Sequence, residues 1–336
     1  MALVGLAAVA CDQKAPEPTP AKPPPSSAPL PPATPVTLSA AVARPAAERL
    51  VAIGDLHGDL EATRRVLRLA GAIDDRDHWA GGKLVVVQTG DLIDRGDGDR
   101  DVLELVERLV TEAKAAGGEF VSVLGNHEIM NVALDFRYVT PGGFAAFRNV
   151  AAPRATTSSP ADGSHGAPSS ASARASGSSE ISRGRGTAFS PGGPFAVRLA
   201  DKPLFVKVGD NVFVHGGVLP KHVDYGLDKM NDEIHAWMLG KRPEPPAVVV
   251  ADDGPIWTRA YSNSERAAPC PLLTEALTKL GAKRMIVGHT PQQGGITSAC
   301  NERVWRIDVG LSKFYGGPTQ ALEISAAGPK VLRQEG

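Results

Sequence analysis

The sequence predicts an α/β fold built on a parallel sheet, and three observations carry that prediction. Apolar, strand-like runs end abruptly in Gly- and Asp-rich turns. Between them lie stretches whose apolar residues recur at helical spacing. A polar motif follows each strand, where α/β proteins gather their ligands. The fullest motif is Gly90-Asp91-Leu92-Ile93-Asp94-Arg95-Gly96, after the apolar run Lys83–Thr89. It sends two carboxylates and an arginine out of the end of one strand.

The elements follow in order. Residues Ala2–Ala10 are small and apolar and lead to Cys11. The segment Ala8-Val9-Ala10-Cys11 resembles a bacterial lipobox, so residues 1–11 read as a signal segment. The expectation is an exported protein, either periplasmic or held at the membrane through lipidated Cys11. Residues 12–43 read as a tether. Proline dominates most of this stretch, fixes φ and removes donors, so neither helix nor sheet is expected there. The folded domain is expected over 44–336.

Leu50–Ile53 reads as a buried strand running into Gly54-Asp55-Leu56-His57-Gly58. A helix follows from Asp59, with Ala62, Val66, Leu69 and Ala70 on one face and Gly71 as its stop. After the Lys83–Thr89 strand, Val102, Leu105, Val106, Leu109, Val110 and Ala113 mark a second helix, ended by Gly117-Gly118. A third strand, Glu119–Leu124, enters Gly125-Asn126-His127-Glu128. This β-α-β-α-β order implies right-handed crossovers. From 151 to 186 the composition shifts to Ser, Ala, Gly and Arg without periodicity, which predicts a disordered insertion. Leu204–Val208 and Asn211–Val214 suggest a hairpin ending in His215-Gly216-Gly217. Helices are expected at Leu227–Leu239 and Pro271–Leu280. Arg284–Val287 is a strand entering Gly288-His289-Thr290-Pro291, and Arg303–Val309 and Ala321–Ile324 are closing strands.

Composition narrows the function. Net charge is -1 over 336 residues and no basic stripe is present. Nucleic acid is therefore not the expected partner. Cysteine is scarce, so this is not a disulfide-built scaffold. In an exported protein Cys270 and Cys300 could pair or remain two buried thiols.

The strand ends bring Asp55, His57, Asp91, Asn126, His215 and His289 into one set. Carboxylate, imidazole and carbonyl donors without thiolates suit divalent metals such as Mn, Fe or Zn. Asp55 and His57 lie two apart and point the same way in an extended chain. Six ligands for two metals require a shared group, and Asp91 is the candidate. Such a pair clamps a phosphoryl group and lowers the pKa of a bridging water, which then attacks phosphorus in line. His127 can protonate the leaving oxygen as general acid. Asp94 can take the other ring N–H of His127 and hold its orientation. Arg95 can bind the phosphate oxygens.

In that order, GDLHG, GDLIDRG, GNHE, HGG and GHT resemble the phosphoprotein phosphatase branch of the calcineurin-like metallophosphoesterases. More narrowly the chain resembles the Shewanella-like protein phosphatases. The stretches Phe136–Val139, Pro191–Pro194, Gly254–Trp257 and Ile307–Lys313 strengthen that likeness. The resemblance implies an αββα sandwich of two mixed sheets with a dinuclear metal site at the strand ends. It implies that Asp55, His57 and Asp91 hold one metal, and that Asp91, Asn126, His215 and His289 hold the other. It also implies a second phosphate-binding arginine, for which Arg259 is the candidate. The expected activity is hydrolysis of phosphoserine and phosphothreonine, with phosphotyrosine also in range and manganese as the metal expected to support it in vitro. A dinucleoside polyphosphate hydrolase and a broad-specificity phosphoesterase are the competing readings. A nuclease fits less well, because Thr290-Pro291 stands where those relatives carry a further histidine. An anchored binding protein with a vestigial site is the non-enzymatic alternative. The remaining histidines, His78, His165, His222 and His235, receive no role.

Overall fold

The computed structural model describes residues 35–151, 182–263 and 267–334. The signal segment, most of the tether and residues 152–181 of the insertion lie outside the described residues. Two mixed sheets form an αββα sandwich over one continuous apolar core. The first has the order β11-β10-β2-β3-β4, made from Gly328–Arg333, Gln320–Ser325, Arg49–Ile53, Val85–Gln88 and Glu119–Ser122. The second has the order β1-β5-β6-β7-β9-β8, made from Ala43–Arg44, Phe205–Val208, Asn211–Val214, Arg284–Val287, Val304–Arg306 and Thr297–Ala299.

Each sheet carries one run of three adjacent parallel strands. These are β2, β3 and β4 in the first, and β6, β7 and β9 in the second. Their sequences are near-continuous apolar runs because both faces are covered. Helix α1 (Leu60–Leu69) starts at Asp59, whose side chain accepts from Ala62 N–H. That cap satisfies one of the donors a helix start leaves open. Helix α2 (Asp99–Ala115) packs on β4. Helix α3 (Asn126–Val132) begins directly at the end of the β4 segment and is buried along its whole length. A short helix α4 (Pro141–Ala145) follows.

Two expected boundaries shift. The tether was expected to reach residue 43, but residues 35–43 lie on the domain. Val36 N–H donates to Lys279 O, Ser39 bonds Asp228, and Val42 is fully buried. Strand β1 then pairs in parallel with β5. The apolar residues Leu38 and Val42 pack on the core, and an open sheet edge offers unpaired backbone groups to the chain, which together outweigh the prolines. The second shift is in the insertion, which was expected to stay disordered to residue 186. Residues 182–189 form helix α5, and Gly184 and Arg185 are buried in it. Arg185 finds carboxylate partners there, which composition does not reveal.

Beyond α5 lie α6 (Pro194–Leu199), α7 (Pro220–Tyr225), α8 (Leu227–Met238), α9 (Ala247–Val250) and α10 (Cys270–Leu280). The expected hairpin is present as β5–β6. Cys270 and Cys300 form a disulfide with a Cα–Cα separation of 5.5 Å. Of the two outcomes open from sequence, the structure has the pairing.

Candidate active site

The six parallel strands aim their carboxyl ends at one place. From β2 come Asp55 and His57, from β3 Asp91, Asp94 and Arg95, and from β4 Asn126 and His127. Strand β6 delivers His215, and β7 delivers His289. Strand β9 delivers Asp308, a carboxylate that carried no role in the sequence argument. Its position after a closing strand in Ile307-Asp308-Val309-Gly310 was the available signal.

Backbone hydrogen bonds lock these loops together. The N–H groups of Leu56 and His57 both donate to Asp91 O at 2.9 Å, and Gly58 N–H donates to Leu92 O at 2.8 Å. Glu128 joins two loops: its carboxylate accepts from Asp91 N–H at 3.0 Å, Leu92 N–H at 2.8 Å and Gly125 N–H at 2.8 Å. A Cβ at Gly125 would collide with Asp91 Oδ1, and one at Gly288 with Asp55 Oδ1. The turns are tight enough that His57, Asp91, Asp94, Arg95 and His289 all take positive φ. Non-glycine residues reach that region only when their surroundings hold them there, and such strain gathers at functional sites.

Asp91 sits at the centre. Its Oδ1 accepts from His127 N–H at 3.0 Å. Its Oδ2 lies 3.3 Å from His215 Nε2, and 3.8 Å from both His57 Nε2 and His127 Nε2. His215 Nε2 is also 2.9 Å from Asn126 Oδ1 and 3.0 Å from His289 Nδ1. The far ring nitrogens decide the tautomers. His215 Nδ1 reaches the carbonyl of Thr89 at 2.8 Å, and His289 Nε2 that of Trp257 at 3.1 Å. Each must donate, since a carbonyl only accepts. In the neutral imidazoles that bind metal, the inner nitrogens then carry lone pairs facing each other, with Asn126 Oδ1 and Asp91 Oδ2 alongside; without metal, burial opposes protonation of His215 but Asp91 outweighs it and raises its pKa. Converging acceptors repel unless a cation lies among them, and a carbonyl-oriented imidazole is the usual arrangement of a metal-ligating histidine.

The second donor set is looser. His57 Nε2 stands 4.0 Å from Asp55 Oδ2 and 3.8 Å from Asp91 Oδ2. Asp55 also accepts from His289 N–H at 3.1 Å, which ties the two sets together.

The charges support the same reading. Asp55, Asp91, Glu128 and Asp308 are all buried within this cluster. Burial, with the charges of Asp308 and Asp91, pushes Asp55 well above the usual carboxylate range. Burial also pushes Asp308 up to about 7. Burial acts against ionisation of Asp91 too, but His215 and His127 outweigh it and hold it well below the usual range. Burial lowers His57 to about 3 and pushes His289 well down, with His215 and Arg259 adding to the effect on His289. Neutral imidazoles are the form that ligates metal. Four buried carboxyl groups this close can ionise together only with a cation among them, and the donor set fits divalent metal.

Beside the cluster, His127 Nδ1 bonds Asp94 Oδ2 at 2.7 Å. Burial lowers the basicity of His127, but Asp91 and Asp94 more than offset it and its pKa is raised. Arg95 lies under three rings, 4.4 Å from Tyr138, 4.9 Å from Phe314 and 5.3 Å from Tyr315. Among the described residues no carboxylate forms an ion pair with Arg95 or Arg259. Both arginines, with His127, Asn126, Trp257 and Tyr315, line a cavity of about 140 Å³ over the cluster. The structure thus brings together every site residue expected from sequence. Glu128, Asp308 and Arg185 join the site without a sequence signal that assigned them a role, and Tyr138 and Tyr315 line the cavity beside Arg95. A larger cavity of about 450 Å³ lies between Arg44, Glu107, Glu119 and Arg198. Four of its charges pair off as Arg44–Glu119 and Arg198–Glu107, and Asp201 and Lys202 also line it.

Fold and donor set together define a metallophosphoesterase. The chain belongs to the calcineurin-like phosphoesterase family, whose profile matches residues 48–293. It is 42% identical to Shewanella-like protein phosphatase 2 of Arabidopsis thaliana over 82% of this chain and 75% of that protein. It is 28% identical to Shewanella-like protein phosphatase 1 of Plasmodium berghei over 80% of this chain and 69% of that one. The fold is shared with the cold-active protein-tyrosine phosphatase of a psychrophilic Shewanella. That structure gives a TM-score of 0.65 at 22% identity and covers 87% of this chain and 82% of its own.

Proposed function

We propose that the protein is a protein phosphatase that hydrolyses phosphoserine and phosphothreonine and also accepts phosphotyrosine. The observation that supports it best is the convergence of four metal-ligand atoms, from Asp91, Asn126, His215 and His289, beside a histidine that is held by Asp94 and faces the same cavity. Asp91, Asn126, His215 and His289 would hold one cation, and Asp55, His57 and Asp91 the other. When bound, two divalent cations polarise the phosphoryl group and activate water. Manganese is the metal proposed to support activity in vitro.

The chain's own residues do the rest. Arg95 and Arg259 bind the phosphate oxygens, and their charge is free for that task. Stacking on Tyr138 and Tyr315 keeps the Arg95 guanidinium from folding away. His127 gives its Nε2 proton to the leaving oxygen. Asp94, on the far nitrogen, fixes the ring and favours the protonated form. His127 also lies close enough to Asp91 and His57 to count as a ligand by distance. Its raised pKa and its bond to Asp94 favour the donor role.

The test is phosphate release by the full chain with added manganese. Substrates are phosphoserine, phosphothreonine and phosphotyrosine peptides and a dinucleoside polyphosphate. His127→Asn should lower turnover of the phosphoserine peptide by about 10²–10⁴-fold, the usual worth of a general acid. Turnover of the dinucleotide alone would replace this reading with a nucleotide hydrolase. No turnover of any substrate would refute it.

Export to an oxidising compartment belongs to the same proposal. It is supported by the lipobox-like Ala8–Cys11 and by the Cys270–Cys300 pair. Membrane fractionation of the wild type and Cys11→Ser tests it. Equal recovery of both in the soluble fraction would exclude a lipid anchor.

A further inference from the structure

Arg185 stands just beyond the Ser- and Gly-rich insertion, in α5, with no solvent exposure. Its guanidinium is used on every side. Nη2 donates to Asp94 Oδ1 at 3.0 Å, and Nε donates to Asn131 Oδ1 at 2.9 Å. Nη1 donates to Gly143 O at 2.7 Å and forms an ion pair with Asp99 Oδ2, also at 2.7 Å. Phe147 and Phe189 lie 5.0 Å and 4.9 Å from its charge centre. Asn131 Nδ2 in turn donates to Asp94 Oδ1 at 2.9 Å. The Asp94 carboxylate is therefore gripped on one oxygen by Arg185 and Asn131. Its other oxygen holds His127.

We propose that Arg185 is a positioning residue for proton donation, clamping Asp94 so that the His127 ring stays aimed at the leaving oxygen. The proposal rests on the reading of His127 as the proton donor. Asp94 sits on a turn with a φ of 70°, and His127 on a different loop. A single carboxylate oxygen on a ring nitrogen leaves the carboxylate free to rotate about χ2, which is a soft torsion. The planar guanidinium removes that freedom, because its donors meet Asp94 and Asn131 in one fixed fork. A lysine supplies the charge without the fork. The geometry thus separates two roles for Arg185, neutralising buried carboxylates and orienting one of them.

The experiment compares Arg185→Lys and His127→Asn, singly and together, in the full chain with added manganese. Two substrates are read in parallel. The phenolate leaving from 2,4-dinitrophenyl phosphate needs no proton, whereas the oxygen leaving from phenyl phosphate does. Arg185→Lys should lower turnover of phenyl phosphate by about tenfold or more and that of the dinitrophenyl ester by less than about threefold. In the His127→Asn background, Arg185→Lys should change phenyl phosphate turnover by less than about twofold, since residues acting as one unit are not additive. Thermal unfolding confirms that each variant folds. Equal losses on both substrates, or a further loss in the His127→Asn background, would overturn the proposal. So would an Arg185→Lys chain that fails to fold, because the arginine would then be structural. If His127→Asn itself discriminates neither substrate, the proton-donor reading fails and the proposal falls with it. If His127→Asn discriminates and Arg185→Lys does not, only the positioning role is lost.

Discussion

Replacing Glu128 by glutamine tests whether one carboxylate holds the metal loops in place. Glu128 Oε2 accepts from Asp91 N–H and Gly125 N–H, and Oε1 accepts from Leu92 N–H. Glutamine has one carbonyl oxygen. Its better orientation puts that oxygen toward Asp91 and Gly125 and turns the NH₂ group toward the Leu92 donor. The orphaned buried donor costs about 1–3 kcal/mol. The two surviving bonds lose their charge assistance, about 1 kcal/mol each. The expected loss is about 3–5 kcal/mol in urea unfolding of the metal-loaded protein. Metal affinity, read by calorimetric titration, should weaken by about 10–100-fold, as when a partner behind a ligand is lost. An opposing effect exists. Glu128 adds negative charge near Asp91 and Asp55, so glutamine relieves repulsion in the metal-free chain. The metal-loaded protein should therefore lose more stability than the metal-free one. A loss under about 1 kcal/mol with unchanged metal affinity would refute the reasoning.

Two further outcomes follow from the structure. His222 takes the Leu219 N–H on Nδ1 at 3.1 Å and meets the Asp253 carbonyl through Nε2 at 2.9 Å, so burial, with Lys221 nearby, lowers its pKa from 6.5 to about 4. The unfolded chain then binds more protons across that window. Stability is complete above pH ~6.5 and falls by about 3 kcal/mol as pH drops through ~4. Urea midpoints of His222→Asn should vary less with pH there, and parallel profiles for both proteins would contradict this. The disulfide spans 30 residues, so the double variant Cys270→Ser/Cys300→Ser should be less stable by about 3–4 kcal/mol. Unchanged urea midpoints would show that the cross-link constrains little.

By itself the sequence determined the parallel core, the strand ends and the residues that crowd the metal cluster. Those features are local. Asp55 and His57 meet in the tight turn that ends β2, where His57 takes a φ of 49°, and Asn126 and His127 open a helix because Gly125 ends the approach from β4. The tertiary structure alone decided which distant groups meet. Glu128 touches Asp91 across 37 residues and Arg185 touches Asp94 across 91. No periodicity encodes such pairs, and for Arg185 the surrounding composition pointed toward disorder. The cluster's tautomers depend on the carbonyls of Thr89 and Trp257, which belong to other segments of the chain. Asp308 enters only because β9 lies parallel beside β7. The disulfide was equally open, since spacing cannot bring two thiols within bonding range. What a residue can do chemically is written in its side chain and its nearest neighbours. Which partner it meets is set by packing, where buried charges must find their counterparts or unfold the site.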